Sequence, residues 1–216
     1  MITPPSSTTE LLERAWALSG LSIDEIVTRY HVPDHYRHKG WVGQVLEYVL
    51  GATAGSSPEP DFVELGIELK TLPINQTGQP QESTFVCAIS KIPDAQWQGS
   101  CVQRKLNKVL WIPCHQHQIG APLLWSPSLE QENLLRADWE ELTEIIMLGK
   151  AEQLTAEQGQ VLQVRPKAAH SRILRSDINN NGEATFIVPR GFYLRAHFTA
   201  QIIAENYLVC HSRPEH

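Results

Sequence analysis

Pro60-Asp61-Phe62-Val63-Glu64-Leu65-Gly66-Ile67-Glu68-Leu69-Lys70 is the stretch whose reading decides both fold and chemistry. Residues two apart on a strand share a face. Glu68 and Lys70 therefore project together, while Ile67 and Leu69 face a core. Asp61 stands ahead of the preceding apolar segment, and Gly66 lets the backbone turn between the two, which predicts Asp61 beside Glu68. Two carboxylates and an ammonium then converge on one point. Close carboxylates repel unless a hard cation lies between them, and Mg2+ with oxygen ligands fills that role. Such an ion polarises a phosphate and lowers the pKa of a bound water. The lysine orients that water, accepts its proton or offsets charge on the phosphorane. The triplet points to phosphodiester hydrolysis. Its plain alternative is an amphipathic edge strand with a solvated Glu–Lys pair, which E-x-K alone does not exclude.

Outward from this stretch, the N-terminal side reads as helices. Ser7 with Glu10 and Ser22 with Glu25 form two S-x-x-E capping boxes, with Gly20 stopping the first helix and Pro33 ending the second. A third helix runs over Trp41–Leu50, its apolar face built from Val42, Val45, Leu46, Val49 and Leu50. On the C-terminal side, strands are predicted over 67–72 and 84–89, and over 109–112 before Pro113. A long helix follows over 128–148, opened by Ser128 with Gln131, buried through Leu135, Trp139, Leu142 and Ile146, and closed by Gly149. Strands over 161–164 and 184–188 flank a turn at Asn179-Asn180-Asn181-Gly182, and Thr199 is expected to cap a last helix over 200–208. The class is α/β with a central mixed sheet.

The chain has 216 residues, 42% hydrophobic and 19% charged, enough for a packed core and too apolar for general disorder. The N-terminus has no basic region followed by an apolar stretch, and no apolar run approaches the roughly 18 residues of a membrane span, so a cytoplasmic protein is expected. The four cysteines form no C-x-x-C pair, and Cys114-His115 with His117 has no second ligand pair at zinc spacing. His31, His35 and His38 have the spacing of a helical metal face, but Pro33 interrupts it, which predicts a loop of solvated imidazoles. The net charge of −6 is concentrated: residues 130–157 hold eight acids and two bases, read as the solvated face of the long helix. Residues 165–195 hold six bases and two acids, which admits nucleic acid as a partner despite a pI of 5.8.

Further candidates lie outside the triplet. Glu47 is the lone acid of residues 40–57 and sits at the rim of an apolar face, which suits a metal or general-base role or an ordinary helix surface. Arg104-Lys105 and Lys108 flank a strand and read as phosphate contacts or as a solvated basic turn. Lys39-Gly40-Trp41 and Arg165-Pro166-Lys167 pair cations with backbone-shaping residues, as base-contacting loops do. Pro189-Arg190-Gly191-Phe192-Tyr193-Leu194-Arg195 interleaves aromatic and basic residues, suited to a DNA groove or to a core.

Taken together, Lys39-Gly40-Trp41, Leu46-Glu47, Asp61-Phe62, Glu68-Leu69-Lys70-Thr71, Thr84-Phe85-Val86-Cys87, Lys105-Leu106, Val109-Leu110-Trp111-Ile112-Pro113, Asp138-Trp139-Glu140-Glu141-Leu142, Arg165-Pro166-Lys167 and Pro189-Arg190-Gly191-Phe192-Tyr193-Leu194 resemble the MutH family over nearly the whole chain. The resemblance implies a restriction-endonuclease-like fold of the PD-(D/E)xK type. It is a mixed β-sheet flanked by helices, a single domain over residues 1–216 built as two lobes around a DNA cleft. The lobe boundary is not set by the sequence. It implies a monomeric, Mg2+-dependent endonuclease of methyl-directed mismatch repair that nicks the unmethylated strand of hemimethylated GATC, 5′ of the guanine. Activation falls to ATP-bound MutL, and indirectly to MutS. Mn2+ or Ca2+ can take the metal site, Ca2+ without productive cleavage. Matched by motif, Asp61 and Glu68 are metal ligands, Lys70 the catalytic lysine, Glu47 an active-site acid and Lys105 a second catalytic lysine. Lys39, Phe85, Arg165, Pro166 and Tyr193 match DNA contacts, with Pro166 and Tyr193 near the adenine edge where methylation is sensed. Residues 211–216 match nothing. The competing readings are a GATC-specific restriction endonuclease and, from another class, a non-catalytic DNA-binding or MutL-docking module.

Overall fold

A computed structural model describes residues 2–34, 40–89, 96–155, 157–167, 175–178, 184–187 and 189–210. Lys39, His35, His38, the 179–182 turn and residues 211–216, all weighed above, lie outside the described residues. The chain divides into two compact units, the first from residues 1–82, 104–127 and 196–216 and the second from 83–103 and 128–195.

The first unit opens with α1 (Thr8–Trp16), α2 (Ile23–Arg29) and α3 (Trp41–Leu50). The two expected capping boxes differ. Ser22 and Glu25 cap each other reciprocally, whereas Ser7 accepts the Glu10 N–H but the Glu10 carboxylate turns to the Ser6 N–H and hydroxyl. α1 also ends at Trp16, and Gly20, at φ +83°, finishes the turn beyond it. α2 stops at Arg29 rather than at Pro33, with His31 left-handed just after it.

α3 has the predicted bounds, closed by Gly51 at φ +82°. Its Val45, Leu46, Val49 and Leu50 join Leu11, Ala15, Ile23, Ile26, Ile67, Leu69, Leu110 and Ile112 in one core.

The sheet of this unit is mixed, as expected. β1 (Glu68–Pro73) runs parallel to β3 (Val109–His115), which pairs antiparallel with β4 (Gln118–Ile119) and β5 (Leu123–Trp125). β3 passes through Pro113, where the sequence predicted its end. Proline fixes φ and lacks a donor but keeps its acceptor, and the Pro113 carbonyl accepts the Gly120 N–H at 2.8 Å. The other sheet face packs Trp111 at a tilt against Trp125, and Trp125 edge-to-face with Phe198 of α6 (Ala196–Cys210). Thr199 does not cap α6. It lies buried one turn inside, its hydroxyl donating back to the Ala196 carbonyl at 3.0 Å. Cys114, His115 and His117 serve the β3–β4 hairpin. His115 Nδ1 lies 3.0 Å from the Ile74 carbonyl, His117 meets Trp41 edge-on, and burial pushes the Cys114 thiol up to about 12.

The second unit holds a separate three-stranded antiparallel sheet, β2 (Thr84–Ala88)–β9 (Arg190–Leu194)–β6 (Leu162–Pro166), so the strands do not form one central sheet. β7 (Arg175–Ile178) pairs with β8 (Ala184–Ile187), correcting the expectation that 161–164 and 184–188 flank one turn; β6 pairs instead with β9. α4 (Cys101–Leu106) spans the junction of the two segments, and α5 (Leu129–Met147) packs on β6.

The acids of α5 are not all on a solvated face. Asp138 is 4% exposed and accepts the N–H groups of Gln160, Val161 and Leu162 at 2.9, 2.6 and 2.8 Å. Ile146, read as buried, is only half so. Among the described residues no helix is long and apolar enough to cross a membrane.

Candidate active site

Two clusters of predicted site residues form, one within each unit. In the first, a short 3-10 turn (Val63–Leu65) ends at Gly66, left-handed at φ +61°, and a Phe62–Ile67 bridge closes the loop on itself. Glycine takes this conformation without the Cβ clash that other residues meet. The loop carries Asp61 back onto β1, where its Oδ2 accepts the Leu69 N–H at 2.8 Å.

Glu68, 3% exposed, is held from both sides. Lys70 Nζ donates to Oε1 at 2.7 Å and Lys105 Nζ to Oε2 at 2.8 Å. Lys105, from the last turn of α4, also donates to the Glu59 carbonyl at 2.6 Å. It is a buried ion-pair partner and not part of a solvated basic turn. Nearby, Lys108 contributes its carbonyl to the Glu68 N–H, while its ammonium reaches Thr8.

The electrostatics follow from three acids and two lysines sharing one half-dry site. Burial raises the Glu47 carboxyl to about 7, with repulsion from Asp61 and Glu68 adding to it and Lys70 and Lys105 opposing. Burial likewise raises Asp61, helped by repulsion from Glu68, against the Leu69 hydrogen bond and the two lysines. Desolvation and like charge both disfavour the ionised form, so without a further cation a proton on Glu47 relieves the site.

The donor set fits a magnesium ion. All the free ligands are hard oxygens, and Asp61 Oδ1 meets no donor among the described residues. Among those residues no three His, Cys, Asp or Glu side chains group closely enough to hold a metal by themselves. Mg2+ is commonly held by only one or two carboxylates, with waters and substrate phosphates completing its shell, and Asp61 and Glu68 are the two carboxylates at this site.

The second cluster lies on the three-stranded sheet. Phe85 and Tyr193 are direct partners on β2 and β9, ring centroids 5.3 Å apart and edge-to-face. A bulge between Phe85 and Cys87 shifts the register there, and bulges commonly re-aim a side chain beside a site. The Phe85 ring crowds Gly191: a Cβ there would sit 2.7 Å from Phe85 Cε2. Arg165 sets its guanidinium 6.0 Å from the Tyr193 ring and donates to Ser83 Oγ at 2.6 Å, while Lys167 Nζ stands 5.3 Å from the Phe85 ring. Pro166 ends β6, exposed, beside them. Burial raises the Tyr193 phenol, opposed by Arg165.

A family model described as DNA mismatch repair enzyme MutH matches residues 50–138, the segment that holds Asp61, Glu68, Lys70 and Lys105. Over its length the chain is 49% identical to the DNA mismatch repair protein MutH of Yersinia pestis (strain Pestoides F), an alignment covering 95% of this chain and 96% of that protein. The MutH of Yersinia pseudotuberculosis serotype O:3 (strain YPIII) matches equally, and that of Yersinia enterocolitica serotype O:8 / biotype 1B is 48% identical with the same coverage. The chain belongs to the MutH family. Its class is therefore restriction-endonuclease-like, with mixed α/β content in two sheets flanked by helices.

Sequence reasoning missed two parts of these clusters and one buried acid outside them. The Glu59 carbonyl under Lys105 has no side-chain signal, and Ser83 beneath Arg165 lies 82 residues away in sequence. Asp138 did carry one: it stands three residues from Leu135 and four before Leu142, on the apolar stripe of α5, where a solvated acid has no place.

Proposed function

We propose that this protein is a Mg2+-dependent endonuclease of methyl-directed mismatch repair. In this reading it nicks the unmethylated strand of hemimethylated GATC, 5′ of the guanine, as a monomer activated by ATP-bound MutL downstream of MutS. The observation that carries this reading is the Asp61–Glu68–Lys70–Lys105 constellation with Glu47 at its rim, in a chain whose relatives are mismatch repair proteins.

Asp61 and Glu68 would hold the ion, which supplies a Lewis acid for the phosphate and a water of lowered pKa. The chain's own residues do the rest. Lys70 and Lys105 place two ammoniums against the Glu68 carboxylate, and these offset charge on a phosphate brought to them. Glu47, near neutrality, is able to hold or release a proton at working pH.

On the second unit, Arg165 and Lys167 present cations beside the Phe85–Tyr193 pair, a surface suited to phosphate and base contacts. Adenine N6 projects into the major groove as a donor. A methyl there adds bulk and blocks one donor direction, which a close contact at Tyr193 or Pro166 rejects.

A supercoiled plasmid from a methylation-deficient source, incubated with Mg2+ or with EDTA beside a fully methylated twin, tests the reading. Mg2+-dependent nicks that map to GATC and spare the twin are expected. Prompt linear product without a nicked intermediate would make it a restriction endonuclease. No cleavage, even with MutL and ATP, would leave a non-catalytic DNA-binding module.

A further inference from the structure

Across the sheet of the second unit, Gln163 on β6, Tyr193 on β9 and Phe85 on β2 stand in one register row. Directly opposed residues on antiparallel strands share a face, so Gln163 belongs to the face that carries the two aromatic rings. Arg165, two residues further along β6, joins the same face and sets its guanidinium by Tyr193. Leu162 and Val164 alternate to the opposite face and are buried there.

Gln163 is the odd member of this row. It is 7% exposed, and its side-chain amide, which makes no hydrogen bond among the described residues, is not among the atoms sealed from solvent. An amide still touching water carries no full desolvation penalty in the free protein and can exchange that water for the edge of a ligand. The other polar members of the face are engaged: Arg165 by Ser83 and the Tyr193 ring, Lys167 by the Phe85 ring. A sheet face that sets an amide with donor and acceptor capacity to spare beside an aromatic pair and two cations suits a planar polar ligand.

We infer that Gln163 is a specificity-determining residue whose amide hydrogen-bonds the edge of a nucleobase brought against Tyr193. A glutamine amide presents a donor and an acceptor side by side in one plane. Adenine offers the complement in the major groove, N7 as acceptor and N6–H as donor, so the pair is bidentate. Guanine presents two acceptors there and would leave the Gln163 carbonyl unpaired. The cations on the same face suit the phosphates, which fix register without reading sequence. This inference rests on the proposed GATC-directed function and adds the group that reads the adenine beside Tyr193.

The test measures equilibrium binding in Ca2+ by fluorescence anisotropy. Short duplexes carry GATC, the scrambled GTAC, or GATC with 7-deazaadenine, which lacks N7. Wild-type protein is expected to prefer GATC over both others by roughly 10-fold or more, as a bidentate base contact supplies. Gln163→Leu and Gln163→Met, close in volume and without the amide, should bind all three duplexes alike while keeping the steep salt dependence of phosphate binding.

Wild-type indifference to 7-deazaadenine overturns the inference without any variant. So does a wild-type GATC/GTAC ratio retained in either variant. If wild-type protein shows no preference for GATC over GTAC, the proposed function itself fails, a result distinct from the other two.

Discussion

Replacing Glu47 by glutamine should make the metal-free protein more stable, and only where that carboxylate would be charged. The folded-state pKa of Glu47 is raised from 4.5 to about 7, first by burial and then by Asp61 and Glu68. Between those values the folded state binds more protons than the unfolded one, so stability falls as pH rises from 4.5 and levels off above about 7. At about 1.4 kcal/mol per pKa unit the full shift amounts to roughly 3 kcal/mol, and water at a half-buried carboxylate brings the expected loss to about 1–3 kcal/mol. Glutamine keeps the shape and removes the titration.

Urea unfolding followed by tryptophan fluorescence, in EDTA, at about pH 5 and about pH 8, reads the difference. Near pH 5 the two proteins should unfold at similar urea. Near pH 8 Glu47→Gln should be the more stable by about 1–3 kcal/mol. Because both proteins share every other titrating group, their difference reports Glu47 together with its coupling to Asp61 and Glu68. Parallel pH profiles, or a Glu47→Gln variant less stable near pH 8, would refute the account of Glu47 as a carboxylate strained by burial and like charge.

Asp61→Ala or Glu68→Ala should abolish nicking while DNA affinity, by anisotropy in EDTA, stays level or rises, since each removes a negative charge facing phosphate; binding lost along with activity would mark these residues as structural. Asp138→Ala strips a buried carboxylate from three N–H groups and should cost about 3 kcal/mol or more in urea unfolding, a loss below about 1 kcal/mol contradicting the cradle. Tyr193→Ser should narrow the ratio of nicking rates on unmethylated and methylated strands, and an unchanged ratio would remove Tyr193 as the group that senses the methyl.

Local chemistry accounts for what was legible without a structure. The bounds of α3, the reciprocal cap at Ser22, the cap at Ser128 and the shared face of Glu68 and Lys70 depend on residues three or four positions apart at most. Side-chain period and capping geometry act over that range. The return of Asp61 to β1 was also readable, because Gly66 and the apolar residues around it confine the turn to eight positions. Where local rules competed, the reading slipped. Pro113 looked like a strand end until the parallel pairing with β1 and the Gly120 bond showed that only its carbonyl was needed. Thr199 looked like a cap because its hydroxyl suits one, but the helix begins a turn earlier and the hydroxyl bonds backward.

By itself, then, the sequence determined the α/β class, the strands that become β1 and β3, and the carboxylate–lysine triplet, all set by periodicity, turns and caps within a few residues. Tertiary structure alone decided what long-range pairing controls. Strands at 84–88, 162–166 and 190–194 form a sheet of their own, and Lys105 crosses 37 residues to share Glu68 with Lys70. Asp138 turns from an apparent surface acid into a buried acceptor, and Gln163 comes into register with Tyr193 and Phe85. Such contacts depend on which surfaces bury each other, and no spacing within one segment encodes the partner that desolvates a charge or sets an amide beside an aromatic pair.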